Sequence, residues 1–402
     1  MTAKPAETAK PAETAAASAE TAASAETAAN DSTAANDRTP VNTTPITLKF
    51  GGSTFATHHS YPELAQALAA RRASEQRPLA VVVSAMPGET ERLRERLHQI
   101  DEHPEDASVA GLLTLADTVS AHLLTTALHQ QGLKATVLAG HQLGLTTDST
   151  YMWAKVRDLD PRPLRQALED HDIVVVPGGQ AADAEGRPTW LGKNSSDLSA
   201  VLVAAAVGAD RCEIHSDVDG VYSADPNLVT GVRLLRQMAY DAASLMSLHG
   251  AKVLHRRAVR TAKKHGITLV CRRNRAPFEE GTVIGAEGAP AAAVILNRHS
   301  RVLAYADAAD ADRAHSLFHA QGVDTVRLED GPHLALIGGY LDLDHFQRQH
   351  GLPESRLVGI PVAEITGSRV TTHIAADDTE AQELAQKLHD SLPVPREGIR
   401  PL

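Results

Sequence analysis

The sequence predicts an open α/β fold built on a mostly parallel sheet, and three features predict it. Short apolar runs recur along the chain, among them ITLKF (46–50), LAVVVSAM (79–86), DIVVVPGG (172–179) and ITLVCRR (267–273). Amphipathic segments of helical length lie between them. Polar turns containing glycine follow several of the runs, at Gly51, Gly88, Gly178 and Gly220. Unbroken apolar runs suit strands covered on both faces, and intervening helices supply the crossovers that parallel pairing requires. Ligands of such folds gather at the carboxyl ends of the strands.

Taken in order, ITLKF reads as a strand, YPELAQALAARRA (61–73) as a helix and LAVVVSAM as a second strand. A long helix, AGLLTLADTVSAHLLTTALHQQG (110–132), precedes the strands KATVLAG (134–140) and DIVVVPGG. The helix SSDLSAVLVAAAVGA (195–209) leads to RCEIHSDVDGVY (211–222). One helical stretch follows at 240–266, and the strand ITLVCRR closes this part. Beyond about residue 290 the pattern is β-α-β-β (301–339), then a helix (340–351), two strands (356–378) and a closing helix (379–392). The expected division is a tail over 1–45, one domain over 46–282 and a second over 283–402.

Composition narrows the function classes. The chain of 402 residues carries 39 basic and 50 acidic residues, a net charge of −11, which disfavours nucleic acid or an anionic membrane as the main partner. Cys212 and Cys271 sit in apolar runs and read as buried thiols, with no disulfide framework. No uninterrupted apolar run approaches the roughly 20 residues of a membrane span, and no basic-then-apolar leader opens the chain, so the expected location is cytoplasmic. The tail repeats AET at Ala6, Ala12, Ala19 and Ala25 and is nearly free of branched aliphatic residues, a composition that reads as disordered. The 20 histidines are scattered without the spacing of a metal site, and none is expected.

Five polar clusters lie where strand ends are expected. Lys49 with Gly51, Gly52 and Ser53 forms a candidate phosphate cradle: side-chain-free backbone can turn its N–H groups toward an anion while an ammonium adds full charge. It lacks the P-loop pattern. SAMPGET offers Ser84 and Thr90, and WLGKNSSDLSA offers Lys193, Ser195, Ser196 and Asp197 at a helix start, where Ser196 or Asp197 also suits an N-cap. SDVDGVYSADPN gathers Asp217, Asp219 and Asp225 around a glycine with spacing unlike a calcium loop. GAKVLHRRA adds Lys252.

In their order these motifs resemble the aspartate kinase branch of the amino acid kinase superfamily over residues 46–273, most specifically in DVDGVYSADP and GAKVLH. The resemblance implies a three-layer α/β/α sandwich, MgATP as donor and the side-chain carboxylate of aspartate as acceptor, which becomes an acyl phosphate; the alternatives are a kinase for a related amino or carboxylic acid and a non-catalytic amino-acid-binding homologue. It assigns catalysis to Lys49, Asp197 and Lys252. Gly51, Gly52, Ser53, Ser216, Asp217, Tyr222 and Asp225 join the two lysines at ATP, and Ser84, Thr90, Asp117, Lys193 and Ser196 serve the acceptor. Magnesium is expected to be held by phosphate oxygens and water. A carboxylate is already ionised at neutral pH, so the reaction needs charge neutralisation and alignment and no general base. The C-terminal region resembles a degenerate pair of ACT-type regulatory modules and implies a homodimer.

Several positions depart from the family pattern. Gly192-Lys193-Asn194-Ser195-Ser196-Asp197 stands where the family has Gly-Arg-Gly-Gly-Ser-Asp, and an ammonium lacks the planar fork with which arginine grips a carboxylate. Asp117 replaces a glutamate, Asn227 an arginine and Arg256 a proline, Arg256 being a candidate to restore the charge lost at 227. PGGQA (177–181) replaces PGFxG.

Overall fold

A computed structural model describes residues 43–251, 254–329, 331–338, 341 and 343–393. The tail expected over 1–45 therefore lies outside the described residues up to 42. The chain runs through β1 (Ile46–Phe50), α1 (Ser60–Glu75), β2 (Leu79–Val83), α2 (Glu89–His98), α3 (Asp106–Gln130) and β3 (Ala135–Val137). β4 (Leu145–Thr147), β5 (Val156–Leu159), α4 (Arg162–Asp170), β6 (Ile173–Pro177), β7 (Gln180–Ala182) and β8 (Pro188–Trp190) follow. Next come α5 (Ser196–Val207), β9 (Arg211–Ser216), β10 (Gln237–Ala239), α6 (Tyr240–Leu248), α7 (Arg256–His265), β11 (Thr268–Arg273) and β12 (Glu280–Gly285).

Eight of these strands form one sheet in the order β10-β12-β11-β9-β1-β2-β6-β3, parallel except for the β11–β12 pair. Strand alternation splits its side chains between two cores. Leu48, Phe50, Val81, Val83 and Val175 pack under α1 and α3, whereas Val82, Val174, Val176, Ile214 and Leu269 pack against α5, α6 and α7. The result is the three-layer sandwich. A 25-residue helix, α3, has a window of mean hydropathy 1.4, long and apolar enough to cross a membrane. Here that character is spent on the core: Leu113, Ala121, Leu124 and Leu128 are buried. The small sheet β5-β4-β7-β8 lies off the main one.

Two expectations change. The single helical stretch over 240–266 is two helices, interrupted where Gly250 takes φ +100°, which an L side chain rarely adopts. The expected limit at 282 falls inside β12, whose Gly281 backbone packs so tightly on Asp219 that a Cβ would collide with its carbonyl oxygen.

The second sheet contains β13 (Ala292–Leu296), β14 (Arg301–Ala304), β15 (Thr325–Leu328), β16 (His333–Leu336), β17 (Arg356–Thr366) and β18 (Arg369–Ala375), with α8 (Ala308–Ala320), α9 (Leu343–His350) and α10 (Asp378–Ser391). Its order is β13-β17-β14-β16-β15, with β18 also on β17. The eleven residues of β17 pair with β14 at one end and with β13 and β18 at the other.

Candidate active site

β1, α5 and α7 converge on one ion pair. Lys49, in register with Val82 and Ile214, points from the sheet toward α5. Its Nζ lies 2.8 Å from Asp197 Oδ1 in the first turn of α5, and both side chains are only about a tenth exposed. The second Asp197 oxygen accepts the backbone N–H of His255, at the start of α7, at 3.1 Å. Burial pushes the His255 imidazole down to about 4, against the pull of Asp197, so the ring is neutral beside the pair.

The glycines follow immediately. Gly51 N–H donates to the His215 carbonyl at 3.1 Å. A Cβ on Gly51 would stand 3.4 Å from Lys49 Nζ, and one on Gly52 only 2.8 Å from the Ala85 carbonyl oxygen. The turns after β1 and β2 touch backbone to backbone, which explains the second glycine. Ser53 and Thr54 present hydroxyls 3.2 Å from the Asn274 amide.

Ser84 Oγ donates to Ser196 Oγ at 2.9 Å, and Ala85 N–H donates to Asp117 Oδ1 at 3.0 Å. Burial pushes the Asp117 carboxyl up to about 7; the Ala85 N–H and the positive charge of Lys49 oppose that rise without cancelling it. Farther out, Lys193 Nζ reaches Glu91 Oε1 of α2 at 3.6 Å, next to Thr90 in the same helical turn. Neither Ser196 nor Asp197 caps α5. Ser195 occupies that position, and its Oγ turns back to the Gly192 carbonyl at 2.5 Å.

The bend holding Lys193 is shaped from behind. Gly192 takes φ +106° and Asn194 φ +59°. A Cβ on Gly192 would fall 2.6 Å from the Trp153 ring, and one on Gly322, in the turn after α8, 3.2 Å from the Trp153 Cβ. Arg257 donates to the carbonyls of Leu191 at 2.9 Å and Ala154 at 2.8 Å, fixing the segments on either side.

After β9 an irregular loop borders a cavity of about 270 Å³ lined by Asp217, Tyr222, Asp225, Asn227, Gly250 and Ile295 among others. Tyr222 OH donates to Asp219 Oδ1 at 2.7 Å, and Asp225 Oδ1 accepts the backbone N–H of Asn227 at 2.9 Å, a local Asx turn. Ser216 lies at the end of β9 outside the cavity lining, its Oγ donating to the Val218 carbonyl at 2.9 Å.

The structure thus brings Lys49, Gly51, Gly52, Ser84, Asp117, Ser196 and Asp197 together around the ends of β1 and β2, and Asp217, Tyr222 and Asp225 around the neighbouring cavity. Lys252 lies outside the described residues. Arg256 does not replace the charge missing at 227: it is drawn to Asp324 at 2.7 Å, in the groove between α6 and α7. Cys212 and Cys271 are buried, and burial raises both thiols, Cys271 to about 12.

Sequence reading missed a buried charge cluster under α1. Glu213 meets Arg71 at 3.0 Å, Arg272 at 3.0 Å and His215 at 3.3 Å. Burial alone would raise the Glu213 carboxyl, but these partners outweigh it and hold the group at about 2. Since the carbonyl of the same His215 receives Gly51 N–H, the cluster braces the turn after β1. Glu213 and Arg272 stood in apolar strands, and only their register, two strands apart in sequence, could have joined them.

A parallel sandwich with a lysine and paired glycines at the carboxyl end of its first strand defines a class of α/β/α folds that gather anionic ligands at strand ends. Within that class the chain belongs to the amino acid kinase family, whose model matches residues 45–273. An aspartokinase of Helicobacter pylori is 37% identical over 242 residues, 60% of this chain and 59% of its own length. One from Thermus thermophilus is 36% identical over 239 residues, 60% and 58% of the two chains. The alignments span about three-fifths of the length of these curated relatives. The crystal structure of E. coli aspartokinase III in complex with aspartate and ADP superposes with TM-score 0.67 at 19% identity, covering 86% of this chain and 99% of that one. The aspartate kinase of Synechocystis gives TM-score 0.52 at 28% identity over 80% and 60%.

Proposed function

We propose that the chain is an ATP-dependent aspartate kinase, transferring the terminal phosphoryl group of MgATP to the side-chain carboxylate of aspartate to give 4-phospho-aspartate and ADP. The carrying observation is the buried Lys49–Asp197 pair at the mouth of the glycine turn. A carboxylate oxygen forms the new bond to phosphorus as the bond to ADP breaks, and no proton has to leave the acceptor. Lys49 neutralises the moving phosphoryl group, the N–H groups of Gly52 and Ser53 add donors, and Asp197 orients the lysine. The cavity beside Tyr222 and Asp225 has room for a nucleoside, with the phosphates running toward the cradle. Asp219 and Asp225 are engaged by their own loop, which suits a magnesium ion carried by phosphate oxygens and water.

A neighbouring amino or carboxylic acid is the second reading of the acceptor. It is favoured by Lys193 standing against Glu91 and by Asp117 being occupied with Ala85 N–H. In both readings the enzyme is cytoplasmic, with a kinase domain from about residue 46 and a C-terminal ACT-like region that serves a homodimer. Incubation with MgATP and hydroxylamine across a panel of amino and dicarboxylic acids tests this reading. Aspartyl hydroxamate and stoichiometric ADP are expected; no hydroxamate from any acid would overturn it.

A further inference from the structure

The loop between β9 and β10 belongs physically to both sheets. It leaves the first sheet at Ser216 and borders the 270 Å³ cavity through Tyr222, Asp225 and Asn227. Its apolar residues Ala224 and Val229 are buried in the core of the second sheet with Val294, Val362, Ala381 and Ala385. Beyond the single Tyr222–Leu234 bridge, where Ser223 N–H donates to the Arg233 carbonyl and Leu235 N–H to the Val221 carbonyl, the segment has no ladder, so its side-chain partners help set its shape.

Partners from α10 hold the chain on both sides of the cavity-lining segment 224–227. At the near end, Ser223 is fully buried, and its Oγ lies 2.9 Å from Nε2 of the buried His389. The same oxygen accepts the backbone N–H of Arg233 at 2.9 Å, and the Ser223 carbonyl accepts Val294 N–H at 2.8 Å. At the far end, Gln386 Oε1 accepts both the backbone N–H of Thr230 at 2.9 Å and its hydroxyl at 3.0 Å, and Nε2 returns to the Thr230 carbonyl at 3.4 Å. Between them Gln382 Nε2 donates to the Leu228 carbonyl at 3.0 Å. Except at the hydroxyls of Ser223 and Thr230, each contact engages the backbone of the loop.

We infer that Gln386 and His389, on the last helix of the C-terminal sheet, are positioning residues for the nucleotide-binding loop of the kinase sheet. This rests on the proposed reading of the cavity as the nucleotide site. A loop released from α10 must be ordered again by the ligand, which weakens nucleotide binding while leaving the Lys49–Asp197 pair and the acceptor rim as they are. The C-terminal region thereby acts on the donor side of the reaction through fixed hydrogen bonds.

The test uses the full chain, with ADP affinity by calorimetry alongside steady-state constants and melting temperature. Gln386→Ala should weaken ADP and raise KM for MgATP by about three- to tenfold, with kcat and the acceptor KM within twofold and melting nearly unchanged. Gln386→Glu keeps the oxygen that Thr230 addresses and should recover most of the loss. Thr230→Val, which removes one of the three bonds, should give a smaller shift of the same kind. ADP affinity within twofold of the parent in Gln386→Ala would overturn the inference, as would a loss shared equally by both KM values and by melting. A parent chain that binds no ADP would instead overturn the nucleotide reading beneath it, so the two failures are distinct.

Discussion

The two sides of the candidate pocket are built differently. The phosphoryl side is made of strand ends, helix starts and main-chain groups: Lys49 and Asp197 are buried, and the glycine turn is pressed against Ala85. The acceptor side depends on longer side chains carried by loops and α2, with Lys193 partly and Glu91 mostly exposed. The first arrangement cannot change without disturbing the sheet, whereas the second can exchange arginine for lysine at little structural cost. On the proposed reading, chemistry is fixed by the scaffold and acceptor choice is left to the rim.

The sharpest way to break this contrast is at its rigid end. Lys49→Met should lower ADP release by three orders of magnitude or more, measured in a coupled assay, because nothing else described there neutralises the phosphoryl charge. It should also cost about 3 kcal/mol of stability, since among the described residues Asp197 is left buried with only the His255 N–H. Residual turnover above a hundredth of the parent rate would remove Lys49 from its role.

Asp117 lies between the two sides, and its effect is on stability against pH. Its carboxyl titrates near 7 in the folded chain against 3.8 when exposed, so between those values the folded state holds a proton that the unfolded state releases. Stability from this group is therefore lost as pH rises through that window, by up to about 4 kcal/mol. Asp117→Asn removes the slope, and its melting advantage over the parent should widen from pH 5 to pH 8. An advantage that shrinks over that range would mean the carboxylate is stabilised in its charged form.

The smallest effect belongs to the rim. Lys193→Arg should lower the acceptor KM by no more than about tenfold and leave kcat and the MgATP KM alone, read from initial rates at saturating nucleotide. A change in kcat instead would show that this residue reaches the transferring group.

The strands with long apolar runs and most helices were legible because their apolar period is strong, whereas short strands such as β4, β5, β7 and β8 carry no such run; the Lys49 cluster could be located because a lysine and two glycines close an apolar strand. The break at Gly250 was hidden inside one continuous amphipathic pattern, since a single glycine within a helical period does not reveal its φ. Arg257 and Trp153 were passed over because what they do is decided by contacts with residues far away in sequence. β13 escaped notice as a short alanine-rich run, and its pairing with β17 is what makes it a strand.

The wedge formed by Trp153 has a practical consequence. The chain contains two tryptophans, Trp153 and Trp190, and their rings lie 6.4 Å apart beside the bend that carries Lys193. Tryptophan emission, excited selectively over the tyrosines, therefore arises from one spot, where Gly192 presses on one face of an indole and Gly322 packs at its base. Closure of the bend on an acceptor, or a shift of the turn after α8, would alter the polarity around that indole, giving an optical signal that needs no label.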